Sequence, residues 1–204
     1  MPTHKNFSIP APMGVLHGMA HMPETVPRAI AIVAHPLPTM GGTMENKIVT
    51  TLAKTFAELG FVALRFNFRG VGDSSGSYDE GCGEVDDALA VARYAQQEFG
   101  DLPLILAGFS FGGYVQARVA QQLHAHQLVL IAPAVGRFAM PPVPKHTLLV
   151  HGELDEIVPL ADLLAWARPQ HLPIVLLPEA DHFFHGRLHQ IKEIVRHHFI
   201  GHAL

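Results

Sequence analysis

The chain has 204 residues, 49% of them hydrophobic and 16% charged, with a formal net charge of −4. That length and apolar content predict a single domain over 1–204 with a sizeable core, and exclude a disordered chain. The acidic balance argues against nucleic acid as a partner, because phosphate binding needs a basic surface. No apolar run reaches the roughly 18 residues of a membrane span. Residues 1–8 hold no apolar signal core, so the expected location is the cytoplasm. The lone Cys82 allows no internal disulfide.

In chain order, residues 6–22 alternate around Gly14 and Gly18 and predict an N-terminal β-hairpin. Residues 28–34 form a continuous apolar run, the mark of a strand buried on both faces. A loop, His35-Pro-Leu-Pro-Thr-Met-Gly-Gly-Thr43, leads to helical spacing at Ile48, Leu52, Phe56 and Leu59, closed by Gly60. A strand is predicted over 61–68 and a helix over 84–99, with Val85, Leu89, Ala92 and Phe99 on one side. Between them, Gly81-Cys82-Gly83 reads as loop, and Cys82 as an incidental thiol. A strand over 102–109 turns directly into a helix over 111–123. Strands at 127–132, 146–151 and 174–177 follow, with a proline-started helix at 159–167 and a terminal helix at 187–199. Alternating apolar strands and helices predict a mostly parallel sheet covered on both faces. The short stretch between Pro133 and His146 leaves no room for a lid domain.

The sharpest feature is Gly108-Phe109-Ser110-Phe111-Gly112, a serine between a strand and a helix. A serine hydroxyl becomes nucleophilic only when a base takes its proton, and a tight strand–helix turn holds the oxygen clear for that. Gly72-Asp73-Ser74-Ser75-Gly76 fits the same Gly-x-Ser-x-Gly pattern, but no helix starts there, so Ser110 is the expected nucleophile.

Partners should come from loops at the carboxyl ends of neighbouring strands. The loop after 146–151 carries Glu153, Asp155 and Glu156; the loop after 174–177 carries Asp181 and His182. Base and acid in these loops would complete a Ser–His–acid set. His182 is the expected base and His185 its rival; Asp181, adjacent to His182, reads as a solvated or turn-forming carboxylate. His35 and His151, at strand ends, are candidates for support behind the site. A tetrahedral intermediate needs two oxyanion donors. Phe111 N–H, directly after the serine, is one; Leu37 N–H is the other, since Pro36 and Pro38 cannot donate. Phe109 or Phe111, Met40, Phe138 and Phe183 are candidates to line an acyl site.

These residues resemble the α/β-hydrolase superfamily, and more narrowly its short, lid-less bacterial serine hydrolases, dienelactone-hydrolase-like and carboxylesterase-like. The resemblance rests on residues 35–47, on Arg65-Phe-Asn-Phe-Arg-Gly-Val-Gly-Asp-Ser-Ser-Gly76, on 108–113, on His151-Gly-Glu-Leu-Asp-Glu-Ile-Val-Pro159 and on Asp181-His182. It implies an α/β-hydrolase fold, Ser110, Asp155 and His182 as catalytic residues, and Leu37 and Phe111 as oxyanion donors. It makes the Ser74 motif a structural loop. Position 110 is serine where dienelactone hydrolases proper carry cysteine, which separates this chain from their substrate.

The expected activity is hydrolysis of small or short-chain acyl esters through an acyl-enzyme on Ser110, without cofactor, by a monomer or homodimer. A thioesterase or peptidase would use the same residues, and a catalytically silent binding module would share the fold. Nucleotide binding is disfavoured, because Gly70-Val-Gly72 is followed by Ser75 where a third glycine would fall. Fifteen histidines, including His124, His126, His197, His198 and His202 near helix ends, form no His-Glu-x-x-His set and predict no metal site.

Overall fold

The computed structural model describes residues 3–201; His202, one of the helix-end histidines above, lies outside them. The hairpin is β1 (His4–Ala11) and β2 (Gly14–His21). Strands β3 (Ala29–Ala34), β4 (Phe61–Phe66), β5 (Leu104–Phe109), β6 (Gln127–Ile131), β7 (Leu148–Gly152) and β8 (Val175–Leu177) complete one sheet. Its order is β1-β2-β4-β3-β5-β6-β7-β8. The two pairs involving β2 are antiparallel and all others parallel.

The apolar runs form central strands because both faces are covered. Along β3, Ile30, Ile32 and Ala34 face one core and Ala29, Ala31 and Val33 the other. Helices α2 (Cys82–Phe99), α3 (Phe111–Val119) and α4 (Leu160–Ala167) cover the first face. Helices α1 (Lys47–Glu58) and α5 (Leu188–Ile200) cover the second. There Phe56, Phe61 and Phe199 meet at 5.4–6.0 Å between ring centroids. Burying each such ring contributes roughly 1.5–3 kcal/mol.

Several boundaries differ from the sequence reading, those of three helices among them. Helix α2 starts at Cys82, because the Glu84 carboxylate accepts from the N–H groups of Asp79 (2.9 Å) and Gly81 (2.7 Å) and organises the first turn despite two glycines. Helix α3 ends at Val119, and Pro159 is the N-cap of α4 rather than its first residue.

The second serine motif is structural. Ser74 Oγ donates to Asn67 O (2.9 Å) and accepts from His17 N (3.1 Å), tying the loop after β4 to the hairpin. In the same loop Arg69 makes a two-pronged ion pair with the fully buried Asp87 of α2, with contacts of 2.8–3.2 Å.

The chain leaves β3 for β4 on one side and reaches β5 on the other. A crevice therefore forms where the segments after β3 and β5 part, at the carboxyl ends of the strands. Residues 35–46 and the Ser110 turn both lie at that crevice.

Candidate active site

Ser110 sits at φ 53° and ψ −118°, in the left-handed region that a side chain occupies at a cost of about 1–3 kcal/mol. The turn holds because strand and helix are nearly in contact. A Cβ on Gly108 would come within 2.3 Å of Gly112 C, and one on Gly112 within 2.3 Å of Ala34 O. Ser110 N donates to Ile131 O (2.9 Å) and Ser110 O accepts from Ala134 N (3.2 Å), fixing the residue from both sides. As the N-cap of α3, the serine would ordinarily cap the helix with its own oxygen. It makes no such bond, and its Oγ lies 3.0 Å from His182 Nε2.

The other ring nitrogen of His182, Nδ1, lies 2.7 Å from Asp155 Oδ2. Asp155 Oδ1 accepts from the N–H groups of Ile157 (2.9 Å) and Val158 (2.7 Å), so the fully buried carboxylate is satisfied on both oxygens. The loops after β7 and β8 that carry the pair are stitched together. Glu153 N donates to Leu177 O, Leu154 N to Ala180 O, and Glu179 N to the Glu153 carboxylate. The His182 ring rests against Phe109 at 5.0 Å and meets Phe183 edge-on at 5.2 Å.

Of the alternatives, His185 pairs with Asp181 at 2.6 Å on the surface. That bond holds the Asp181 carboxyl below its usual range. Two other histidines stand behind the site. His151 is fully buried; its Nε2 lies 3.7 Å from Asp155 Oδ2 and bonds to Val158 O at 2.9 Å. With that acceptor Nε2 carries the hydrogen, and burial pushes the ring's pKa down. His35 bonds through Nδ1 to Pro36 O and accepts from Phe68 N at Nε2 (3.1 Å); burial lowers its pKa to about 4. It is neutral and bridges two segments at the crevice.

A cavity of about 230 Å³ opens over Ser110, and Leu37, Phe111, Met40, Phe138, Phe183 and Arg137 are among its lining. Leu37 O accepts from Met40 N (3.1 Å) and Gly42 N (3.0 Å), which fixes the turn after β3. The N–H groups of Leu37 and Phe111 meet no acceptor among the described residues. Phe109, offered by the sequence as a lining candidate, is fully buried and faces the α1/α5 core instead. Arg137 was not singled out from sequence. A groove of about 440 Å³ shares Gly41, Asn46 and Phe183 with the cavity.

Among the described residues, no group of three or more His, Cys, Asp or Glu side chains is placed to hold a metal ion. No helix among them is long and apolar enough to cross a membrane.

Residues 26–166 match the model of the Hydrolase_4 family, described as serine aminopeptidase, S33. The crystal structure of XC6422 from Xanthomonas campestris, an α/β serine hydrolase without a lid, is 39% identical, with TM-score 0.92 over 97% of this chain and 94% of that one. An α/β serine hydrolase homologue from Coxiella burnetii is 40% identical, with TM-score 0.86 over 97% of both chains. An uncharacterized protein of Rickettsia prowazekii (strain Madrid E), RP471, is 31% identical over 93% of this chain and 86% of its own length.

Proposed function

The chain belongs to the Hydrolase_4 family of α/β serine hydrolases, in its lid-less form, and from that premise we propose that it hydrolyses short-chain acyl esters, with Ser110 as nucleophile. The observation that carries the reading is the row Ser110 Oγ–His182 Nε2–His182 Nδ1–Asp155 Oδ2, hydrogen-bonded at 3.0 and 2.7 Å.

Ser110 Oγ attacks the ester carbonyl carbon. As the O–C bond forms, its proton passes to His182 Nε2, and Asp155 holds the Nδ1–H and steadies the imidazolium. The carbonyl oxygen becomes an oxyanion facing Leu37 N–H and Phe111 N–H, the latter at the positive end of α3. Collapse breaks the bond to the leaving alcohol, which takes the proton from Nε2. Water then repeats the sequence against the acyl-enzyme and frees the acid.

The cavity's size favours small substrates, since its roughly 230 Å³ falls below the range of about 300–1,000 Å³ typical of drug-sized ligands. Esters are favoured over aminopeptidase substrates because a free α-ammonium needs an anionic partner. The cavity side chains include the cation of Arg137 and no carboxylate.

The test is turnover of p-nitrophenyl acetate by the wild type and by Ser110→Ala, each corrected against free imidazole, because fifteen histidines contribute a non-specific background. Ser110→Ala should lose roughly 10⁴–10⁶ of the rate, down to that background. Undiminished turnover in the variant would remove Ser110 from the mechanism.

A further inference from the structure

Arg137 is the one charged side chain that lines the cavity over Ser110 among the described residues. It is exposed and forms no ion pair or hydrogen bond among them. Asp162, whose carboxylate lies over the neighbouring Gly136, makes no ion pair with it. The rest of the polar lining also offers donors. Asn46 Oδ1 is occupied by Ile48 N (2.9 Å) and Val49 N (3.5 Å), which leaves its NH₂ as the group available to a ligand. The backbone adds the N–H groups of Leu37 and Phe111.

Acidic side chains lie elsewhere. Glu45 borders the adjoining groove, where it pairs with Arg65 at 2.7 Å, and Glu156, Glu179 and Asp181 border another that shares Ile157, His182 and Phe183 with the cavity. A chain with net charge −4 thus surrounds its reacting serine with donors and one unpaired guanidinium. A neutral ester uses none of that positive charge, whereas a carboxylate offers two oxygens to the guanidinium fork.

We propose that Arg137 is a specificity residue and that the substrates are esters carrying an anionic group, a carboxylate, near the scissile bond. Resting on the ester-hydrolase reading above, the inference names the substrate class of the same site. Arg137 acts on binding, and the bond-breaking steps stay with Ser110 and His182.

The experiment measures kcat/KM for two matched pairs. Mono-p-nitrophenyl glutarate against p-nitrophenyl pentanoate places the anion on the acyl side. 3-Acetoxybenzoate against its methyl ester places it on the leaving group. The neutral member of each pair is the internal reference, so folding and active fraction cancel in the ratio. The wild type should prefer the anionic member of at least one pair. Arg137→Gln should lower that preference by about fivefold or more, mainly through KM, which is the size of one charged hydrogen bond reduced by solvent. Arg137→Lys should retain part of it. Raising the salt from about 0.05 to 0.5 M should weaken the wild-type preference, as screening shortens. An anionic-to-neutral ratio unchanged in Arg137→Gln for both pairs would overturn the assignment while leaving the hydrolase intact. If the wild type turns over no member of either pair, or Ser110→Ala matches it, the hydrolase reading falls and this inference with it.

Discussion

Three buried histidines are held neutral around the framework of the site. Burial is the leading cause for each, and it brings His21, beside the Arg65 guanidinium, and His35 to about 4. His151 is lowered as well, though the nearby Asp155 opposes the shift. In the unfolded chain each would titrate near 6.5. On acidification the unfolded state therefore takes up protons first. The contribution of these rings is present above about pH 6.5 and is lost as the pH falls, through about 4 for His21 and His35. For His35 alone the loss reaches on the order of 3 kcal/mol. Urea midpoints should fall steadily between pH 7 and 5, and more gently in His35→Gln, whose side chain does not titrate. A flat midpoint over that interval would mean that these rings are protonated or solvated in the native protein. The geometry gives the rings their purpose: His35 bridges Pro36 and Phe68, and His151 lies against Val158 and Asp155. Protonation of either ring would put a charge where no solvent reaches it.

At the level of elements, the Ser110 turn exists because β3, β5 and α3 meet with no room for side chains. Gly112→Ala would drive a Cβ into Ala34 O at 2.3 Å and His35 O at 2.6 Å, both backbone atoms that cannot swing away. Helix α3 would have to move outward, carrying Phe111 N–H from the cavity. Thermal or urea unfolding should show a loss of about 3 kcal/mol, at or beyond the upper end of ordinary overpacking; a variant as stable as the wild type would mean that the contact relaxes freely. The same crowding explains what the sequence made readable. Continuous apolar runs located the central strands, and Ser110, Asp155 and His182 each stand just beyond such a run. Other features needed the third dimension. Alternation along β5 turns Phe109 away from the cavity and under His182; counting by twos from Leu104 separates the two faces of the strand, but which face the cavity lies on shows only in the fold. The start of α2 was hidden because Gly81 and Gly83 are poor helix formers, and the bonds of Glu84 outweigh them. Arg137 lies between β6 and β7, where no periodicity says which residue faces the site.

The whole molecule explains why residues so distant in sequence converge. One sheet with a reversal of strand order around β3 opens a crevice at the carboxyl edge. Four of its loops supply Leu37, Ser110, Asp155 and His182. The segment between β6 and β7 forms no helix or strand beyond a single bridge, Val135 with Phe138, and contributes Ala134, Arg137 and Phe138 to the cavity wall. The central claim is that this fold activates one serine among its neighbours, and covalent labelling tests it most directly. Treating the protein with a fluorophosphonate, followed by intact mass and peptide mapping, should give one adduct per chain, on Ser110, absent from Ser110→Ala and strongly slowed in His182→Ala. An adduct on Ser74 or another residue, or one that persists in Ser110→Ala, would contradict the account.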